Sequence, residues 1–427
     1  MAPRLRETEG VNGGGKHIAV VAPPVPGHLR PLSVLADALA RRGHRVTFVH
    51  MADARELASG AAGFHAVGQA RYGSGALERY GRRLAHAAGP VGLPAMIRAS
   101  AGVTRMLLEE LPRALEGIGA EAVIAEAAEP AGALVARRLG LPHVTSHTGL
   151  PLNREPLVPP PYLGWSYRDD ARGLERNGWG YRVSDWLLRP IDGAVARAAK
   201  AWDLEPEPGF SPLLQVAQCV PGLDFPRREL PASFRYCGPF RGAPEPAELP
   251  DEPLVFCSLG SLQGDRPGVF QAMARACADL GLRAVIGHGG LLSEEDAARI
   301  GAGALVRAYW PQEAVLARSV AAVLHGGFNT VLDALASGVP MVVAPIAFEQ
   351  PATAARVARA GAGRVVTTPL TRRGIRRELE RVITDPAYAR AAGGLGEEIG
   401  RAGGAELAAA LIDEALRTGR TPAPAFA

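Results

Sequence analysis

Apolar positions in this chain arrive in short runs, and each run is followed by a segment with helical spacing. The first run, HIAVVAPP (His17 to Pro24), ends in the turn sequence PVPGH. A helix is expected from about Arg30 to Arg42, because Leu32, Leu35, Ala36 and Leu39 recur every three or four residues and Gly43 supplies a C-cap. HRVTFVH (His44 to His50) is the next strand. Strand, helix and strand at this spacing form a right-handed crossover, which makes the two strands parallel. The unit returns at AEAVIAE (Ala120 to Glu126), a helix over Pro130 to Leu139, and LPHVTSH (Leu141 to His147).

The alternation restarts after GPFRGAPEPAELPDEP (Gly238 to Pro253), which is rich in proline and acid, lacks periodicity and reads as a linker. Beyond it come LVFCSLGS, a helix near Gly268 to Leu280, AVIGHGG, ALVRAYWPQ and the apolar run Val320 to Leu324. The expected architecture is α/β, with two doubly wound domains facing across a cleft lined by the C-terminal ends of both sheets. The expected boundaries are a leader over 1–16, a first domain over 17–240, a linker over 241–253, a second domain over 254–400, and a C-terminal helix and tail over 401–427. The segment Asn153 to Pro190 breaks the pattern, with Trp165, Trp179, Trp186, Tyr162, Tyr167, Tyr181 and three consecutive prolines from Pro159 to Pro161. Two readings stand: a helical insertion whose aromatics form a satellite core, or an apolar pocket wall or membrane-facing lip.

A length of 427 residues suits two cores better than one. A net charge of +4 over that length gives no ground for a nucleic-acid partner. Lysine occurs only at Lys16 and Lys200, so the basic residues are nearly all arginine. Cys219, Cys237, Cys257 and Cys277 stand far apart without a paired spacing, which argues against structural zinc and for buried thiols in a reducing compartment. The N-terminus lacks the apolar stretch of a signal peptide, and no apolar run is long enough to span a bilayer. A cytoplasmic protein is expected.

Chemistry concentrates where strands end. Val320 to Leu324 stops at His325, Gly326 and Gly327, then a helix is expected from Asn329 to Ser337. Glycines let the backbone approach a ligand, and free N–H groups in a first helical turn suit phosphate. Asn329 and Asp333 are four apart and share a face, and Thr330 adds a hydroxyl. Ordinary capping by Asn and Gly accounts for the same residues equally well. Upstream, AYWPQ presents Trp310 and Gln312 beside a proline at a strand end, and CSLGS places Ser261 after another. No Asp-x-Asp cluster suggests a metal-bound diphosphate.

WPQ followed by HGGFNTVLDALASGVPMVVAPIAFEQ resembles the donor-binding signature of nucleotide-sugar glycosyltransferases with the two-Rossmann (GT-B) architecture. The resemblance implies that Trp310 stacks on uracil and that Gln312 and Asp333 touch the ribose. It implies that Ser261, His325, Gly327, Asn329 and Thr330 hold the diphosphate, while Glu349 and Gln350 read the sugar hydroxyls. The family usually has Glu at the position of Asp333 and Asp at that of Glu349; each departure keeps the charge and changes the reach. AEPAGALVARRLGLP, GLPLNREP, VPGLDFPRRELP, VVAPPVPGHLRPL and SLGSLQG are similar to the branch of the family that glucosylates zeaxanthin in bacterial carotenoid pathways.

Glycosyl transfer to an alcohol asks for a base, and histidine suits neutral pH. In relatives the histidine matching His28 is that base, oriented by an acid that here falls on Glu126; Glu129, one helical turn on, is a substitute. The resemblance implies an inverting UDP-glucose-dependent transferase with no metal cofactor and an apolar hydroxylated acceptor, zeaxanthin first among them. Gly27, Trp165 and Trp179 are the expected acceptor contacts. A greasy acceptor favours peripheral contact with the inner membrane face. Three other readings remain: a transferase for another natural product such as a polyketide, a non-catalytic nucleotide-sugar binder, and a GT-B epimerase that converts the UDP-sugar without an acceptor. His44, His50, His143 and His147 are expected to be structural, and RRGIRRELER (Arg372 to Arg381) a solvated helix face.

Overall fold

The computed structural model describes residues 14–85, 89–205 and 209–423. The expected leader over 1–16 therefore lies largely outside the described residues, as do the last four residues of the tail. The first half builds a seven-stranded sheet from β1 (His17–Val21), β2 (Arg45–His50), β3 (Gly63–Ala66), β4 (Ala122–Glu126), β5 (His143–His147), β6 (Gln215–Ala217) and β7 (Phe234–Tyr236). Its order is β3-β2-β1-β4-β5-β6-β7, and every pairing is parallel. Helices α1 (Pro26–Arg41), α2 (Ala76–Ala85), α3 (Gly89–Ile118), α4 (Ala131–Arg138) and α5 (Ala171–Ala201) supply the connections. The central strands are buried throughout, as continuous apolar runs in a two-sided sheet require.

The second half builds a six-stranded parallel sheet from β8 (Leu254–Ser258), β9 (Arg283–Gly287), β10 (Leu305–Arg307), β11 (Ser319–Leu324), β12 (Met341–Val343) and β13 (Gly363–Val365). Its order is β10-β9-β8-β11-β12-β13. Helices α6 (Pro267–Ala278), α7 (Glu294–Ala298), α8 (Gln312–Leu316), α9 (Phe328–Ala336), α10 (Gln350–Arg359), α11 (Arg372–Thr384) and α12 (Pro386–Arg401) accompany it. The last helix, α13 (Gly404–Thr418), returns to the first half, where Ala405, Ala408, Leu411 and Ile412 join its core beside α1. His44 at the start of β2 meets Asp413 on α13 at 3.2 Å. All four cysteines are buried without a disulfide.

Both sheets reverse their strand order at one place, β1 against β4 in the first and β8 against β11 in the second. A crevice opens at such a switch point beyond the carboxyl ends of the strands, which is where doubly wound sheets bind ligands. His28 and Glu126 flank the first crevice; Ser258 to Ser261 and His325 flank the second.

α1 begins at Pro26, not near Arg30, so His28 sits on the first helical turn and not in a preceding turn. Proline at the first helical position has no N–H to lose and a φ already suited to the helix. The aromatic segment does not form a satellite core throughout. Trp165 packs into the notch left by Gly180, where a Cβ would stand 2.7 Å from its ring. Trp179 and Trp186 are 59% and 60% exposed on the outer face of α5 with Val183.

Candidate active site

His28 Nδ1 lies 3.2 Å from Glu126 Oε1, and the Thr148 hydroxyl sits between them, 2.8 Å from Nδ1 and 2.7 Å from Oε1. A hydroxyl has one proton, and the carboxylate can only accept it. Thr148 therefore donates to Glu126 and accepts from Nδ1–H, which fixes the tautomer and leaves the Nε2 lone pair for a substrate proton. Burial pushes the His28 pKa down, but the charge and hydrogen bond of Glu126 outweigh it, and the value is raised. Burial pushes Glu126 up, and His28, Thr148 and the Ala128 N–H outweigh it, so the carboxyl is lowered. Glu126 is buried while the His28 side chain keeps 26% of its surface open. The geometry suits a histidine that takes a proton at Nε2 while an acid behind it orients the ring.

Glu129 does not share this task. It accepts from Thr104 at 3.1 Å and from the Ala131 N–H at 3.1 Å, and burial pushes its pKa up to about 7. The other strand histidines are structural. Burial lowers His50 to about 3 and His143 and His147 to about 4.

Across the cleft, His325 closes β11 and faces the turn after β8. A Cβ on Gly260 would stand 2.5 Å from His325 Nε2, and one on Gly327 would stand 2.3 Å from it. The imidazole is thus wedged between two glycines, with Nδ1 buried and lacking a hydrogen-bond partner among the described residues. Burial lowers its pKa to about 4, so the ring is neutral at physiological pH. Gly326 turns the chain at φ +90°, and Gly327 caps α9. The N–H groups of Phe328, Asn329 and Thr330 then point out of the helix mouth without intrahelical acceptors, a suitable cradle for an anion. Ser261 lies in the turn after β8, with its Cα 3.1 Å from where a Cβ on Gly289 would sit.

Trp310 donates its indole N–H to the Ile286 carbonyl at 3.0 Å, and the Arg307 guanidinium covers one ring face at 4.1 Å. The Gln312 amide donates to Asp333 at 2.5 Å. Arg241, the first residue of the expected linker, bridges Asp333 and Glu313 at 3.0 Å each. Burial nevertheless pushes Asp333 up to about 6. Gln350 spends its side-chain oxygen on the Ile346 and Ala347 N–H groups, 2.9 Å each, and so shapes the loop before α10. Phe348 in that loop adopts φ +56°, a strained setting for a residue with a Cβ, and packs against the N-terminal core. Glu349 follows it, within electrostatic reach of His28, and burial raises its pKa.

The two halves meet directly. Asn329 Nδ2 donates to the Gly27 carbonyl at 2.7 Å, and Gln218 Nε2 donates to Asn329 Oδ1 at 3.2 Å. Arg356 of α10 is buried against Asp224 at 2.8 Å and over the Phe225 ring at 4.1 Å. Gly164 lies against Pro351, with its Cβ position 3.1 Å from that ring, so the loop carrying Tyr162 to Trp165 reaches the start of α10. Of the expected acceptor contacts, Gly27 is at the cleft, Trp165 is packed inside its own segment beneath Arg176, and Trp179 is exposed beneath Arg182. Sequence reasoning missed Thr148, Gln218 and Arg241. The first two follow directly after β5 and β6, and that strand-end position was the available signal. Among the described residues no group of three His, Cys, Asp or Glu side chains is placed to hold a metal ion.

The family model for UDP-glucoronosyl and UDP-glucosyl transferase matches residues 244–396. The chain is 36% identical to a zeaxanthin glucosyltransferase of Pantoea ananas over 95% of this chain and 97% of that protein. It is also 36% identical to a zeaxanthin glucosyltransferase of Pseudescherichia vulneris, over 94% of this chain and 98% of the other. Among solved structures it superimposes on a glycosyltransferase of kitacinnamycin with a TM-score of 0.70 at 22% identity, covering 94% of this chain and 99% of that one. That likeness carries the GT-B fold, and the full-length relatives carry the activity class. The chain belongs to the UDP-glycosyltransferase family and is a glycosyltransferase of GT-B fold.

Proposed function

We propose that the protein transfers glucose from UDP-glucose to the hydroxyl groups of zeaxanthin, with inversion, giving β-glucosides. The observation that carries this is the 36% identity, across nearly the whole of both chains, to relatives named for that activity. His28 Nε2 takes the acceptor proton as the oxygen attacks the anomeric carbon. Glu126 stabilises the resulting imidazolium, and Thr148 holds the ring. Direct displacement on an α-linked donor gives the β product. Trp310 stacks the base on the face opposite Arg307, Gln312 and Asp333 take the ribose, and Glu349 and Gln350 take the sugar. Ser261, Gly327, the neutral His325 and the first turn of α9 with Asn329 and Thr330 meet the diphosphate, a role that calls for no metal ion.

Gly27 supplies a backbone contact on the acceptor side, and the exposed Trp179, Val183 and Trp186 stripe offers an apolar surface on the outer face of α5. Arg182 over Trp179 suits an approach along an anionic membrane face, a setting that fits an apolar acceptor. Among the described residues no helix is long and apolar enough to cross a membrane. The test is purified protein incubated with UDP-glucose and zeaxanthin, in buffer with and without EDTA, read by product mass. Mono- and diglucosides in both buffers are expected. No glucoside, or a preference for a dTDP-deoxysugar over UDP-glucose, would sink the reading.

A further inference from the structure

We infer that Gln218 is a positioning residue for glycosyl transfer, closing a hydrogen-bonded ring that holds the base and the diphosphate helix in register. This rests on the reading of His28 as base. The ring starts at Pro31, inside α1. A proline has no N–H, so the Gly27 carbonyl loses its helical donor four residues on. Asn329 of the other half supplies the replacement at 2.7 Å. Its amide oxygen then accepts from Gln218 Nε2 at 3.2 Å. The same Nε2 donates to the Thr148 carbonyl at 2.9 Å, and the Thr148 hydroxyl holds His28 Nδ1 at 2.8 Å. His28 is bonded covalently to Gly27, and the ring closes.

Each amide has only one orientation that fits. Gln218 Oε1 must face the Phe240 N–H, which donates to it at 2.8 Å, because Nε2 is needed by the Thr148 carbonyl. Asn329 must turn Nδ2 to the Gly27 carbonyl, so Oδ1 faces Gln218. Gln218 is 1% exposed and is bonded to Asn329 and Thr148, so it acts through these neighbours. Its effect falls on the distance from His28 to the first turn of α9. A misplacement of about 1 Å in such a pair costs about a hundredfold in rate.

The test uses the full chain with UDP-glucose and zeaxanthin, comparing Gln218→Glu, Gln218→Met and Asn329→Ala with the parent. Gln218→Glu keeps the acceptor for Phe240 and, once ionised, removes the donor to Thr148 and Asn329, while Gln218→Met removes that donor at every pH. Expected are kcat losses of about 30-fold or more for all three variants and, for the two Gln218 variants, UDP dissociation constants by calorimetry within about threefold of the parent. The double variant Asn329→Ala/Gln218→Met loses no more than the worse single one, because either break opens the same ring. A kcat within threefold of the parent, UDP affinity falling as far as kcat in the Gln218 variants, or additive losses in the double variant would overturn the inference. Asn329 lies at the cleft surface, so its variant keeps the test alive if the buried Gln218 substitutions fail to fold. His28→Ala in the same assay separates the two readings. Turnover by His28→Ala sinks the base, whereas its loss with intact Gln218 variants sinks only the ring.

Discussion

Arg356 and Asp224 form an ion pair at 2.8 Å that joins α10 of the second domain to the segment after β6 of the first. Neither side chain reaches solvent: Arg356 is 1% exposed and Asp224 is wholly buried. Asp224 also accepts from Arg227 at 2.8 Å and from the Tyr236 hydroxyl at 3.1 Å. Burial pushes the Asp224 carboxyl up, and the two guanidinium groups outweigh it and hold it below its ordinary value. The start of α10 carries Glu349 and Gln350, so this pair fixes their place relative to His28.

Arg356→Met should therefore destabilise the chain by about 3 kcal/mol, the lower end for breaking a buried pair, since Arg227 still compensates Asp224. Urea unfolding at neutral pH measures it. A cost below about 1 kcal/mol would show the pair to be solvated in solution.

Activity should fall on the acid side as His28 protonates. Glu126 raises the His28 pKa, so the acid limb of kcat/KM lies above the ordinary histidine value of 6.5. Glu126→Gln leaves burial as the main influence, and burial disfavours the charged ring. The limb should move to lower pH while the rate at neutral pH drops about a hundredfold. A limb that stays in place in the variant would detach Glu126 from the base.

Gly260→Ala and Gly327→Ala should each weaken UDP binding at least about tenfold. The new methyl would stand 2.5 or 2.3 Å from His325 Nε2 and push the imidazole out of its slot, and Gly260 also has φ +73°. Gly287→Ala is the control, because its methyl would meet Trp310 and Phe256 only at ordinary contact, 3.8 and 3.9 Å. Equal affinity in all three variants would remove His325 from the donor site.

Glu129 should make stability fall as pH rises. Its folded pKa of about 7 lies above the ordinary 4.5, so the folded state holds a proton that the unfolded state releases. The stabilisation is complete below about pH 4.5 and is lost as pH rises through 7. Glu129→Gln keeps an acceptor for Ala131 and a partner for Thr104, so it should be more stable than the parent at pH 8. Thermal melts from pH 5 to pH 8 decide it, and parallel curves for both proteins would contradict the account.

Much of the site was readable because its signals are local. A buried strand followed by Gly or Pro and a helix start marks a ligand-facing strand end. His28, Ser261 and His325 carry that signal, whereas Glu126 is marked by the family resemblance and not by its local sequence. The same locality misled at α1, where PVPGH has turn chemistry but Pro26 is also an ideal first helical residue. Trp179 and Trp186 were ambiguous for a related reason, since aromatic content reports apolar surface and not what covers it.

The sequence by itself determined the two parallel sheets and the strand-end motifs, because hydrophobic period and turn chemistry act over a few residues. Only the tertiary structure decided which strand ends face each other. Thr148 reaches His28 from 120 positions away, Asn329 reaches Gly27 from 302, and Asp224 meets Arg356 from 132. No local pattern records such partners. They are chosen by the shared need of buried polar groups for a donor or acceptor, a need that exists only once the domains have closed on each other.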